Sequence, residues 1–369
     1  MNENYVTLGQ VCAKGSSNIA QKDLAEREGQ YPIYGAAGLI KNVDFAHQKQ
    51  PYIAVVKDGA GIGRVMKLPA YSSVIGTMQY IFPKENVDID YLFYALQHMN
   101  LGKYFSGSTI PHIYFRDYQK ERLKLPVMKV QQRQADTLSR IDALSAYGQR
   151  QIALMDEIVK SRFVEMFIGK NYSRKTVDEV SLGKGEYGAQ SASAEYTPDR
   201  PRYVRITDIN DDGTLNNDVV SSINHSDDDQ YRLRYGDFLF ARMGATVGKT
   251  YAFREGNQIY AGYLIRYKLD LTQIHPLYLF WYTRLNEYWD WVKLNQSGAA
   301  QPGINAKKFG SLRIPVPPID IQNRFVAFVA EVDKSKFRIQ KSLSTSRKLW
   351  TMAQIDAIMN MDFSTQRSL

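Results

Sequence analysis

The chain has 369 residues, 44% of them hydrophobic and 23% charged, which is long for one ordinary domain and apolar enough to bury two cores. A net charge of +9 points to a polyanionic partner, nucleic acid first. The single cysteine, Cys12, excludes a disulfide framework and a cysteine-based zinc site. No apolar run approaches the ~20 residues that span a bilayer, and the opening stretch MNENYVTLGQVCAKG lacks a basic-then-apolar leader, so a cytoplasmic protein with no membrane role is expected. Tyrosine is plentiful, 25 against 16 Phe and 4 Trp, and suits surfaces that are half apolar and half hydrogen-bonding.

In chain order, residues 52–56 form a short apolar run that reads as a strand and ends at Asp58-Gly59. A glycine-rich turn, 57–64, follows, and then a short helix around 91–99. The loop SGSTIPHI (106–113) precedes LKLPV (123–127). The same series then recurs. Lys57 through Arg64 (KDGAGIGR) matches Arg242 through Lys249 (RMGATVGK) at offset 185, after a second strand-like run at 237–241. YLFY at 91–94 matches YLFW at 278–281, at offset 187. SGSTIPHI matches SGAAQPGI (297–304), LKLPV answers LRIPV (312–316), and VQQR (130–133) matches IQNR (321–324) at offset 191. Ordered matches with slowly drifting offsets describe a duplicated domain with loop insertions, far longer than a solenoid repeat.

Each half closes on a long helical pattern, at about 131–167 and 320–361. The first seam is Leu138, Ile141, Ser145, Gly148, Ile152, Met155, Val159, Arg162 and Met166, alternating three and four residues. The second is Val329, Val332, Lys336, Ile339, Leu343, Ser346, Trp350, Ala353 and Ala357, each 191 beyond a seam position of the first. A helix of ~37 residues is roughly 55 Å long, too long for one small domain, so each is expected to bury its stripe on the other. The alternative is two separate amphipathic helices, each on its own domain. Pro126 and 315–318 break what precedes each helix, and Asp320 is a plausible N-cap.

GATVGKT resembles a phosphate loop, but Met243 stands where the loop needs glycine. GAGIGR resembles a dinucleotide fingerprint but ends in Arg64. A cation-flanked turn used twice is the simpler account: its glycines let backbone approach a phosphate, with Lys57, Arg64, Arg242 and Lys249 adding charge. A plain hairpin turn is the alternative. The Ser-Gly loops place Ser108, Thr109, His112 and Gln301 near Arg116, Lys307 and Lys308, the groups that phosphates and base edges need. A merely structural loop is again the alternative. The histidines (His47, His98, His112, His225, His275) are scattered, the run Asp227-Asp228-Asp229 reads as solvated, and no zinc, nuclease or adenine-methyltransferase motif stands out. No catalytic residue, metal ligand or cofactor site is therefore expected in this chain. A nuclease or methyltransferase with an unrecognised site is the competing reading, a scaffold that binds no DNA a further one.

These features together resemble the specificity subunit of Type I restriction-modification systems, over essentially the whole chain. YPIYGAAGLI (31–40), YVRITDIN (203–210), YGDFLFARMGATVGK (235–249), the two Ser-Gly loops, and LPVMKVQQRQ and IPVPPIDIQNR before the helices are similar to the family's recurring segments. Ile110 stands where the family has Gln, Gln131 and Ile321-Gln322 replace its Glu-Gln, and the first repeat lacks a Tyr-Val-Arg-Ile segment. The heads should therefore read different sequences. The resemblance implies an α+β fold: two repeated α/β target-recognition domains, 1–129 and 170–318, joined and separated by two long antiparallel coiled-coil helices, 130–169 and 319–362, with pseudo-twofold symmetry. It adds Arg205 to the DNA-binding candidates. It also implies double-stranded DNA as ligand and two methyltransferase subunits as partners, which methylate adenine N6 with S-adenosylmethionine. Restriction subunits that translocate DNA, with ATP and Mg, complete the expected assembly.

Overall fold

The computed structural model describes residues 5–107, 111–223, 229–297 and 302–358, with side chains of the last helix described through Thr351. The chain divides into two units, Met1–Arg150 with Ile339–Leu369, and Gln151–Arg338.

In the first unit a four-stranded antiparallel sheet runs in the order Cys12–Ser16, Met78–Pro83, Tyr52–Val56, Val65–Leu68. Tyr52–Val56 is apolar at every position because both its faces are covered. Ile53 and Val55 enter a core with Leu92, Leu96, Tyr118 and Leu138, while Tyr52, Ala54 and Val56 pack with Met78 and Tyr80. A second sheet orders Gly38–Val43, Tyr31–Gly35 and Ser73–Val74, the last pair parallel. Asp88 caps the helix Ile89–His98 by accepting from the amides of Asp90 and Tyr91.

The second unit repeats the plan. Its sheet runs Glu186–Tyr187, Leu264–Lys268, Asp237–Ala241, Thr250–Ala252, all antiparallel. Phe238 and Phe240 face one core, and Leu239 and Ala241 the other. Arg202–Val204, which overlaps the start of YVRITDIN, pairs in parallel with Gln258–Tyr260, as Tyr31–Gly35 does with Ser73–Val74.

The long helices span Met128–Phe167 and Ile319–Ile358, and the boundary between the units falls inside both. This differs from a division into heads with separate helices, and the side chains explain why. In the first unit Ala135 and Leu138 belong to the core itself, and Trp350 packs against it. In the second unit Val159, Phe163, Phe167, Phe325 and Val329 belong to the core. Phe163 stacks 5.2 Å from Tyr278, and Phe167 lies 4.8 Å from the same ring. Large apolar groups at the turns nearest each sheet complete the hydrophobic interior there.

The less exposed helix positions follow the seams. In the first unit these are Leu138, Ile141, Ser145 and Gly148, with Ile339, Leu343, Ser346 and Trp350. In the second they are Ile152, Met155 and Val159, with Val329, Val332 and Lys336. A Cβ placed on Gly148 would sit 2.6 Å from Leu343 Cδ2, so the glycine is what lets the helices approach within the first unit. In the second unit Lys336 Nζ bonds the Asp156 carboxylate. The side chains of Ala353 and Ala357, and residues 359–362, lie outside the described residues.

One buried contact fixes each helix start. Gln131 is 0% exposed. Its Oε1 accepts from the Asp88 amide at 2.8 Å, and its Nε2 donates to the carbonyls of Asn86 (2.9 Å) and Pro126 (2.8 Å). Gln322, also 0% exposed, does the same with the His275 amide (2.9 Å) and the carbonyls of Gln273 (2.9 Å) and Pro317 (2.8 Å). Asp320 is not the N-cap. It lies in the first turn of Ile319–Ile358, where a carboxylate meets the positive end of the helix dipole, and the Pro318 carbonyl takes the first amides.

Candidate nucleic-acid interface

In both units the glycine turn and the Ser-Gly loop meet. The first turn, 57–64, links the antiparallel strands Tyr52–Val56 and Val65–Leu68. Ser106 and His112 exchange two backbone hydrogen bonds of 2.8 Å, closing the neighbouring loop. The Gly59 amide then donates to the Pro111 carbonyl (3.0 Å), and the Ile113 amide to the Lys57 carbonyl (2.9 Å). In the second unit Ser297 and Gly303 make the same exchange, the Gly244 amide donates to Pro302 (3.0 Å), and Ile304 donates to Arg242 (2.9 Å). Gly59 and Gly244 share positive φ, 81° and 71°, as do Gly63 and Gly248, 79° and 91°. A Cβ on Gly63 would land 2.3 Å from the Gly102 nitrogen. The glycines therefore serve the turn's left-handed backbone, and Gly63 and Gly248 also its close approach to a neighbouring helix. The Gly59 and Gly244 amides, expected to approach a phosphate, already have carbonyl partners.

The candidate cations fall into two groups. Arg205 is held by Asp208 at 2.8 Å, and Lys249 by Asp211 at 2.7 Å and the Ile209 carbonyl at 3.3 Å. The Lys249 ammonium in turn holds the Asp211 carboxyl below its ordinary range. Arg64 donates to the Ala36 carbonyl at 2.7 Å, fastening the neighbouring hairpin. These three are engaged in keeping loops in place. Lys57 stands 3.4 Å from Asp58, which also meets His112 Nδ1 at 2.7 Å.

The other group lies over aromatic rings or stands exposed on a short helix. Arg116, with a side chain 75% exposed, lies over the Tyr114 ring at 4.7 Å, and the His112 ring stacks on Tyr114 from 6.4 Å. Lys307 and Lys308 are exposed on the short helix Ala306–Gly310. Arg242 lies over Tyr187 (4.9 Å) and Tyr263 (5.8 Å). Cations interleaved with aromatic rings suit phosphates and bases alike. Ser108, Thr109 and Gln301 lie outside the described residues, as do His225, Asp227 and Asp228. Sequence reasoning missed Asp58, Tyr114, Tyr187 and Tyr263, and the tyrosine excess was the only hint of the last three.

Among the described residues no group of three or more His, Cys, Asp or Glu side chains is placed to hold a metal ion. Burial pushes the Cys12 thiol up to about 12, the opposite of an activated nucleophile. Among the described residues no helix is long and apolar enough to cross a membrane.

Comparison with known proteins adds the family. The Type I restriction modification DNA specificity domain matches residues 2–154 and again 184–346. No curated protein matches the chain. Among solved structures, the Type I restriction-modification S subunit from M. genitalium aligns at TM-score 0.62 and 15% identity, covering 98% of this chain and 97% of that one. A chain from a structure describing complex assembly and conformational transition of the type I R-M system aligns at TM-score 0.57 and 15% identity, covering 97% and 98%. At such identities these likenesses concern the fold. With both of its repeats matched by the specificity domain, the chain belongs to the DNA specificity subunits of Type I restriction-modification systems.

Proposed function

We propose that this specificity subunit reads a split DNA target, one half-site per unit, with the long helices pairing antiparallel as a coiled coil that sets the spacer. The observation that carries the reading is the repeated loop pair. The same two backbone bonds dock a turn on a loop in each unit, two more close that loop, and cations lying over aromatic rings stand beside them. Loops on a rigid sheet are where recognition residues are held. Half-sites would lie about a helical turn, ~34 Å, or more apart.

The chain supplies recognition and no bond-making step. Two methyltransferase subunits would dock on it and methylate adenine N6, S-adenosylmethionine supplying the methyl group. Restriction subunits using ATP and Mg would complete the assembly, and the site of action would be cytoplasmic. Mapping N6-methyladenine in DNA from cells carrying the system tests this. A two-part motif with a fixed unread spacer is expected, and a continuous motif would refute it. Purified chain that methylates or cuts DNA with S-adenosylmethionine and Mg alone would favour the enzyme reading instead.

A further inference from the structure

Arg242 differs from every other candidate cation in how it is held. Its Nε donates to the Gly262 carbonyl at 3.2 Å, and its guanidinium carbon lies 4.9 Å from the Tyr187 ring and 5.8 Å from the Tyr263 ring. Both rings are otherwise largely exposed, 42% and 52%. Among the described residues no carboxylate pairs with this guanidinium, and neither Nη has a hydrogen-bond partner. The Nε side of the group is thus bonded and its carbon lies near two rings, and the two-pronged Nη edge is left to bond something else.

The location is specific as well. The Arg242 carbonyl accepts from Ile304, so the residue sits where the turn and the Ser-Gly loop dock. The Tyr187 hydroxyl accepts from the Ala306 amide at 3.2 Å, which ties the clamp to the start of the helix bearing Lys307 and Lys308. An arginine fork fits a phosphate as well as a base edge, but a phosphate is also satisfied by a mobile ammonium, whereas two-point reading of a base edge gains from a fork held in place. A planar fork of two N–H donors matches the O6 and N7 acceptors of guanine in the major groove, and pre-ordering lowers the entropy lost on binding.

We propose that Arg242 is the guanine-reading residue of the second unit, with Tyr187 and Tyr263 as its positioning residues. The proposal rests on the DNA-reading function above and adds the base. Among the described residues the first unit has no arginine held by two rings at the matching position of its turn. Lys57, which replaces Arg242 there, has no fork and faces Asp58. The backbone bond from Arg242 to the Tyr263 carbonyl is made in the first unit from Lys57 to the Thr77 carbonyl, so threonine stands where the clamp has a ring.

The test is selection from a randomised DNA library by the full chain assembled with its modification subunits, comparing wild type, Arg242→Ala and Arg242→Lys. Thermal melting of each confirms folding. The wild type should select a guanine that both variants lose at one position of one half-site. Preference there should fall on the order of 5- to 150-fold, with the remaining positions kept. Unchanged selectivity with uniformly weaker binding would make Arg242 a phosphate contact and overturn the proposal. So would a lysine variant that keeps the guanine. A wild-type complex that selects no sequence would instead overturn the specificity reading beneath it.

Discussion

Replacing Gln322 with leucine removes an amide that holds three backbone groups together at the start of the second long helix. Leucine fills a similar volume, so little packing is lost. The His275 amide and the carbonyls of Gln273 and Pro317 would be left without their partner, in a place where Gln322 is wholly shielded from water. Each buried group left unmade costs ~1–3 kcal/mol, and three of them, after local relaxation, on the order of 3–6 kcal/mol. That is a large fraction of the roughly 5–15 kcal/mol that holds a domain folded. For a unit of this size it lowers the melting temperature by roughly 10 °C or more. Calorimetry, with denaturant titration by circular dichroism as a second probe, reads the change directly. Gln131→Leu should cost the first unit a comparable amount, because its network is the same. A fall of less than ~2 °C for Gln322→Leu would refute the claim that this amide is a structural pin.

Gly148→Leu should overpack the contact with Leu343 and destabilise the first unit by ~1–3 kcal/mol, and adding Leu343→Ala should recover much of it. Strictly additive effects of the two substitutions on unfolding would contradict the close approach. His275 caps the helix Pro276–Tyr282 through Nδ1, which accepts from the Leu277 amide at 3.1 Å, and burial holds its pKa below the usual 6.5. A depressed histidine pKa means the stability is present above pH ~6.5 and lost as pH falls through the lower folded value. Melting curves between pH 8 and 5 should show this loss in the second unit, and His275→Asn, which keeps a cap acceptor, should flatten it. An equal acid loss in that variant would acquit the histidine. Replacing Lys307 and Lys308 together with alanine should weaken DNA binding for all sequences and reduce the salt slope by about 1 to 2. An unchanged slope would remove them from the phosphate contacts.

Much of the architecture could be read from the chain because it was written twice. Offsets of 185 and 191 pair the loops that the structure docks, and the three-four spacing of the seams marks the shielded helix positions. Interactions with a partner far along the chain were hidden. Lys249 reads as a free cation beside a glycine turn, yet Asp211, 38 residues earlier, has claimed it. Arg205 reads as a DNA-binding cation, although Asp208, three residues on, takes its Nε and Nη2 groups. Gln131 and Gln322 look like ordinary polar residues at a helix start. Only the fold reveals that each turns inward to serve three backbone groups. The clamp on Arg242 was equally invisible, since Tyr187 and Tyr263 are 76 residues apart and match no motif.

The paired glutamine pins have a consequence for how such a gene can change. Each pin takes all three partners from the chain that precedes its helix, one carbonyl from the residues just before it and two groups from the loop before a shorter upstream helix, and the bonding is the same in both copies. A crossover at the glutamine codon would deliver a new loop set to an old helix and leave every bond at the joint intact. Variation on the reading side and continuity on the scaffold side can then proceed independently, with this amide as the seam between them.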